Sequence, residues 1–514
     1  MKFGNKLSNI IEWIIIVLGF ATAIFIGMTV FGNVFDAATS YNVKTNMVFH
    51  ILAGLGFFAV GIFVDLCSKK LSEKIKMWLC VVIQCVSVGM IMIVGITFVS
   101  QTKIAPPSDS HACYLLANSF MNGDYSAVVP KDSYLTLWPY QTGLIFILEK
   151  TMKLLNTTDY VVFMRINVIF VALIVVSGYQ IIRRYTKSVG ACLGYSALMC
   201  TYFPLIFYTY WIYGNIPATA LMVFSTWMFL MLTKSNEKWQ TIVGGIGFFI
   251  STILACVYKS TCKIYLIALM IVLIIYVIKE KKLGIFAVVS LTLILAFFST
   301  NFTQKYYEKK ADNICGPGIP AVSFFAMGLQ YQGEERIPGG WNGYHSNLYI
   351  ELDYDRDKAI DISKESIKES VEEFKNDPEF ARNFFYTKLM KQWANQTHGV
   401  FWNTSNMGDT DAQNGFWRRY IEYKSYNKWL PFMDYHESIL YSLILLGFAG
   451  VVFRKIKNKN DDKETQILDI LPVIVFIGGF LFSIIWEAQT QAVMYYPVIL
   501  LPYMVGMAYS SFTK

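Results

Sequence analysis

The chain has 514 residues, 55% of them hydrophobic and only 16% charged, with a formal net charge of +8 and a mean hydropathy of +0.42. A water-soluble fold of that composition would precipitate, so the chain is a polytopic membrane protein, and the usual prior of about 150 residues per domain does not apply. The positive charges sit in short clusters between apolar runs, a pattern that encodes orientation and gives no reason to expect nucleic acid as a partner.

Nine cysteines are scattered through the chain. The number is odd and no Cys-x-x-Cys occurs, which argues against a disulfide framework and a zinc site. Cys113 and Cys315 could pair outside the membrane. His345 and His398 are too far apart in sequence to suggest a metal site, and neither a metal nor a cofactor is expected.

A membrane span needs roughly 20 apolar residues. About twelve segments qualify, near 13–35, 48–67, 77–99, 161–182, 189–209, 216–233, 240–257, 264–278, 284–300, 437–453, 467–486 and 493–511. The first is too long for a signal h-region and reads as a retained span. Lys2 and Lys6 precede it. Lys69, Lys70, Lys74 and Lys76 follow the second span, and Arg183, Arg184 and Lys187 the fourth. Lys234 and Lys238 follow the sixth, Lys279, Lys281 and Lys282 the eighth, and Arg454, Lys455, Lys457 and Lys459 the tenth. With about twelve spans, all of these clusters fall on one side. The positive-inside rule makes that side cytoplasmic, with both termini there. The expected fold is therefore an all-α, multi-pass integral membrane protein of the cell membrane with external juxtamembrane helices.

Three regions follow. Residues 1–300 form an N-terminal transmembrane region with an external loop at 100–160. Residues 301–436 form a soluble external insert, and residues 437–514 the C-terminal transmembrane helices. The insert begins with a stretch rich in Gly and Pro, 316–345, which reads as a long irregular loop and a candidate lid. Ile360, Ile367, Val371 and Phe374 then fall on one helical face. Asp377 and Pro378 stop that helix and start another, as N-cap and first-turn proline. Phe385, Leu389 and Trp393 stripe the second helix.

No Walker A sequence, no GxGxxG, no HExxH and no GxSxG occurs. ATP-driven transport on this chain is therefore not expected. Chemistry has to come from polar residues beside the membrane, and Asp109 is the foremost. Pro106 and Pro107 end span three, and 110–121 suits a short helix. Ser108 or Asp109 could cap that helix. Equally, a carboxylate desolvated beside the bilayer could serve as a general base. Lys259 and Lys263, in VYKSTCK, break the charge asymmetry. Either can snorkel to headgroups or hold a phosphate. Arg336 is a further phosphate candidate. His111 lies two residues from Asp109 and could relay a proton. Glu487 stands where span eleven emerges, at the water line or in a substrate cavity.

A group of motifs resembles a known family. Pro107-Ser108-Asp109, then Gly123-Asp124-Tyr125, Tyr134-Leu135 and Trp138-Pro139-Tyr140-Gln141-Thr142-Gly143 resemble the first external loop of bacterial GT-C glycosyltransferases. The likeness is to the protein-mannosyltransferase and aminoarabinose-transferase type, similar to glycosyltransferase family 39. Tyr213-Gly214-Asn215-Ile216-Pro217 and Trp486-Glu487-Ala488-Gln489, with Gln491, Pro497 and Pro502, resemble two further family elements. Many members have Asp where Asn215 stands and Arg-Tyr near Gln491, where this chain has Gln491-Ala492. Typical members also have the loop after their first span, whereas here two spans stand ahead of that one. The resemblance implies Asp109 as catalytic base, and Lys259, Lys263 and Arg336 at the donor phosphate. His111, Tyr134, Gln141, Tyr213, Asn215, Glu487, Gln489 and Gln491 would contact substrate. It further implies a polyprenyl-phosphate sugar as donor and a glycan, teichoic acid, lipid or protein of the envelope as acceptor. Two rival expectations stand beside it: a flippase or transporter of lipid-linked saccharides, and a polysaccharide polymerase or ligase using a diphosphate-linked donor.

Overall fold

A computed structural model describes residues 2–36, 41–235, 237–280, 283–331, 338–401, 416–417, 426–457 and 470–512. The chain is an all-α integral membrane protein. Among the described residues eight helices are long and apolar enough to cross a bilayer: Leu7–Gly32, Met47–Ser68, Glu73–Thr102, Tyr160–Tyr185, Asn215–Lys234, Lys238–Tyr258, Trp429–Lys457 and Thr490–Phe512. Two bent pairs raise the number to ten if each is counted as one span. Val189–Cys200 with Phe203–Tyr210 bends by 49°, and Leu283–Phe297 with Ser299–Ala311 by 45°. Two shorter apolar helices, Ser260–Tyr276 and Leu471–Ile485, complete the set. Over the described residues each expected segment is thus mainly helical, but these last two fall short of a full crossing. The break at Thr201–Tyr202 is explained by Pro204, whose ring and missing N–H cannot continue the preceding helix.

The helix Thr490–Phe512 is the most buried of the spans. It packs against Trp429–Lys457, Tyr160–Tyr185 and Leu471–Ile485. The spans Met47–Ser68 and Glu73–Thr102 lie at the periphery and leave large apolar side chains such as Phe63 and Ile93 exposed. In water such a surface would be a liability. Facing lipid it is the normal solvent-exposed face of a transmembrane helix.

The first helix ends at Gly32, three residues short of the apolar run. Residues Asn33–Asp36 instead pair antiparallel with Tyr41–Lys44, Val34 opposite Val43. Phe35 is buried against Met390 and Ala394, and its N–H donates to the Ala394 carbonyl at 2.8 Å. Tertiary burial at this point overrides the helical run.

The insert supplies the polar layer. The helices Arg356–Asn376 and Pro378–Trp393 meet at the expected turn. Asp377 accepts from Phe380 N at 2.9 Å, with Pro378 in the first turn. Phe374 packs on Phe380, Phe384 and Phe385, with centroids 5.0–5.8 Å apart. The stretch read as an irregular loop is more ordered than its Gly and Pro content implies. Pro320 starts a helix over Ala321–Leu329, and Phe324 stacks on Trp486 at 4.8 Å and 8°. A second helix follows at Tyr344–Glu351. Cys113 and Cys315 are both free. The Cys113 thiol instead lies 3.7 Å from the Tyr134 hydroxyl.

Candidate active site

Asp109 lies in the first turn of Ser108–Met121. No side chain caps this helix. Ser108, just before it, has φ 43°, a left-handed conformation that costs an ordinary residue about 1–2 kcal/mol. The Asp109 carboxylate is turned away from the helix end and accepts a hydrogen bond from the Tyr213 hydroxyl at 2.8 Å. Gln141 Nε2 donates to that same hydroxyl at 2.6 Å. The Tyr213 proton is therefore committed to Asp109, because its oxygen is already accepting from Gln141.

Tyr213 is held on both faces. Trp211 stacks on it at 5.6 Å and 11°. The Lys259 ammonium lies 3.3 Å from its ring centroid, a cation–π contact. Two glycines bring these elements together. Gly143 lies so near the end of Lys238–Tyr258 that a Cβ there would be 2.3 Å from the Val257 carbonyl oxygen. Gly214, at φ +80°, would place a Cβ 2.5 Å from the Tyr258 oxygen. Burial lowers the Lys259 pKa to about 8, with the Asp109 charge opposing that fall. A cation that sheds part of its hydration is well suited to binding a phosphate.

Glu487 closes the cluster from the C-terminal side. It is 9% exposed, and its Oε1 accepts from Gln489 Nε2 at 2.5 Å. Gln491 Nε2 donates in turn to Gln489 Oε1 at 3.1 Å. Burial pushes Glu487 up to about 7; the Gln489 hydrogen bond and the charges of Lys391 and Lys388 pull against it, while Asp109 adds to the rise. Tyr140 senses both Asp109 and Glu487, and burial raises its pKa. The charges of the two carboxylates thus both reach Tyr140.

Two lysines of this region were not expected from sequence. Lys388 is fully buried and donates to the carbonyls of Gly328 at 2.6 Å and Ile484 at 2.8 Å. It ties the Ala321–Leu329 helix to the end of Leu471–Ile485. Burial lowers it to about 7 and Lys391 to about 8, with Glu487 opposing in both cases. A signal for Lys388 was present. It stands four residues from Phe384 and from Gln392, on the face that is buried.

Of the other expected site residues, Tyr134 lies near Asp109 and the rest have other surroundings. Tyr134 packs on Trp138 at 4.8 Å and feels the charge of Asp109. Asn215 interacts with Tyr495. His111 is exposed. Lys263 lies over the Phe297 ring at 5.1 Å, apart from Lys259's partners. Arg336 lies outside the described residues. Among the described residues no group of three or more His, Cys, Asp or Glu is placed to hold a metal ion.

Comparison with known proteins places the chain in a family without assigning it a reaction. Residues 1–510 match the family described as "Conserved hypothetical integral membrane protein", and the chain belongs to that family. No curated protein and no solved structure matches it.

Proposed function

We propose that this protein is a membrane glycosyltransferase of GT-C type. It moves a sugar from a polyprenyl-phosphate donor to an envelope acceptor at the outer face, with inversion. The observation that carries this reading is the convergence of Asp109, Tyr213 and Lys259 from three separate parts of the chain. A base and a desolvated cation on one side chain, Tyr213, are what a hydroxyl nucleophile and a phosphate leaving group require.

In this mechanism the Asp109 carboxylate takes the proton of the acceptor hydroxyl. The acceptor oxygen attacks the anomeric carbon from the face opposite the phosphate. The anomeric C–O bond breaks and its electron pair leaves with the polyprenyl phosphate. Lys259 stabilises the charge developing on that phosphate. Tyr213 fixes the Asp109 carboxylate, and Glu487 with Gln489 faces the sugar. The Ala321–Leu329 helix, clamped on Trp486, limits water access, which favours transfer over hydrolysis. The charge asymmetry of the connecting loops supports an outer-face site and cytoplasmic termini.

Two tests follow directly. Tyr213→Phe removes a hydrogen bond to a charged group, worth about 1.5–3 kcal/mol. Turnover is expected to fall about 10–100-fold with a smaller change in donor affinity, measured by steady-state kinetics. Unchanged turnover would remove Tyr213 from the mechanism. Second, equilibrium binding of a radiolabelled polyprenyl-phosphate sugar is expected to weaken as pH rises through about 8, where Lys259 loses its charge. Lys259→Arg keeps its charge throughout and should displace that loss to higher pH. The same loss at the same pH in the variant would assign it to Lys391.

The presence of Lys388 and Lys391 beside Glu487 favours one second reading. Cationic capacity beyond a single phosphate suits a diphosphate-linked donor, as a polymerase or ligase would use. Competition between mono- and diphosphate polyprenyl sugars in the same binding assay separates the two.

A further inference from the structure

A second buried cluster lies apart from Asp109. His50 comes from the first turn of Met47–Ser68, and Asp434, His436, Glu437 and Ser438 from Trp429–Lys457. His398 comes from the segment after Pro378–Trp393. All six are at most 6% exposed. His50 Nε2 lies 3.4 Å from Asp434 Oδ2, and its Nδ1 lies 3.0 Å from Ser438 Oγ. His398 Nε2 lies 3.8 Å from Glu437 Oε1 and 3.0 Å from the Tyr202 hydroxyl. His436 Nε2 donates to the Leu198 carbonyl at 2.8 Å, and Tyr202 stacks on its ring. Tyr435 stacks on His50, and Tyr441 and Tyr202 face Glu437.

Two observations point to a ligand. Asp434 Oδ1 and Glu437 Oε2 are buried with no hydrogen-bond partner. Among the described residues, the charge partners of these carboxylates are imidazoles, with no Lys or Arg in contact. Two bare carboxylates here would each cost several kcal/mol. A proton on each acid–imidazole couple removes that cost, and the two orphaned oxygens are free to carry it. Among the described residues no three of these groups are placed to hold a metal ion.

We propose that the Asp434–His50 and Glu437–His398 couples form a proton-binding site, separate from the sugar-transfer site. Protons arrive from hydronium at the loop-rich end of the bundle, leaving water behind. His398 provides the link onward. Its Nδ1 is 3.5 Å from Thr490 Oγ1, whose neighbours in sequence, Gln489 and Gln491, are hydrogen-bonded to each other and on to Glu487. The site also gives the N-terminal pair of spans a role, since the second of them supplies His50.

The test is infrared difference spectroscopy of the purified full chain across about pH 4–9, in a Glu487→Gln background that removes the neighbouring acid. The parent should show carboxylic C=O absorption that titrates, and Asp434→Asn and Glu437→Gln should each delete one component. His50→Gln leaves both acids in place and should move the Asp434 midpoint by about one pH unit or more, the effect of losing a charge partner. A carboxyl spectrum identical in the parent and both acid variants would overturn the proposal. So would a band that responds to sodium ions and not to pH, which would make this a monovalent-cation site. If neither acid variant folds, the His50 variant decides, and an unmoved titration overturns the proposal. No sugar donor enters the experiment, so its result is independent of the transferase reading.

Discussion

Replacing Asp109 with Asn is expected to lower turnover about 10²–10⁴-fold, the usual contribution of a general base. Donor affinity should stay within about two-fold, because the substitution removes the base and little else. The Asn amide oxygen still accepts the Tyr213 hydrogen bond now made at 2.8 Å, so the local geometry is kept. The Ser108–Met121 helix should also survive, since no side chain caps it. The measurement is kcat set beside equilibrium donor binding for wild type and variant. Retained turnover would move the base to Glu487, the other carboxylate of the cluster. A parallel loss of turnover and thermal stability would make Asp109 a structural residue.

Gly214→Ala is expected to have the next largest effect, through geometry and not charge. The residue sits at φ +80°, and its new Cβ would come within 2.5 Å of the Tyr258 carbonyl oxygen. The left-handed conformation costs about 1–2 kcal/mol, and overpacking against backbone adds about 1–3 kcal/mol. Relief requires moving either Tyr213 or the strand of backbone that carries Lys259. A shift near 1 Å at reacting groups costs roughly 100-fold in rate. Thermal unfolding in detergent and kcat are therefore expected to fall together. A variant with normal stability and normal turnover would show that the close approach of these two segments is not what positions the site.

What could be seen in the sequence differs sharply between fold and site. The transmembrane segments are legible because a bilayer admits only long apolar runs with their backbone satisfied internally. The turn at Asp377-Pro378 is legible because capping is local chemistry. The hairpin at Asn33–Asp36 is not, since Val34 and Phe35 simply prolong the preceding apolar run and Phe35 is buried against Met390 and Ala394, far along the chain. The helix Ala321–Leu329 is hidden by the Gly and Pro on either side of it and is stabilised by Trp486, far along the chain.

Asp109 stands out as an acid beside a span, but its hydrogen bond joins residues 104 positions apart, and no local pattern announces that. Gln141, Tyr213, Glu487 and Gln489 do meet around a common region. His111 and Lys263 do not, because helix direction turns one to solvent and the other onto Phe297. A lysine in an amphipathic helix is ordinarily on the wet face, which masks the buried position of Lys388. Its burial follows from two backbone carbonyls that only the folded insert brings to it.

The most direct test of the account offers the purified wild-type protein a panel of radiolabelled polyprenyl-phosphate sugars with a crude envelope acceptor, and follows label transfer. The account predicts transfer from at least one donor, with inverted configuration at the anomeric carbon. Failure to turn over any donor, together with donor movement across reconstituted vesicles, would contradict it and make the chain a transporter of lipid-linked saccharides.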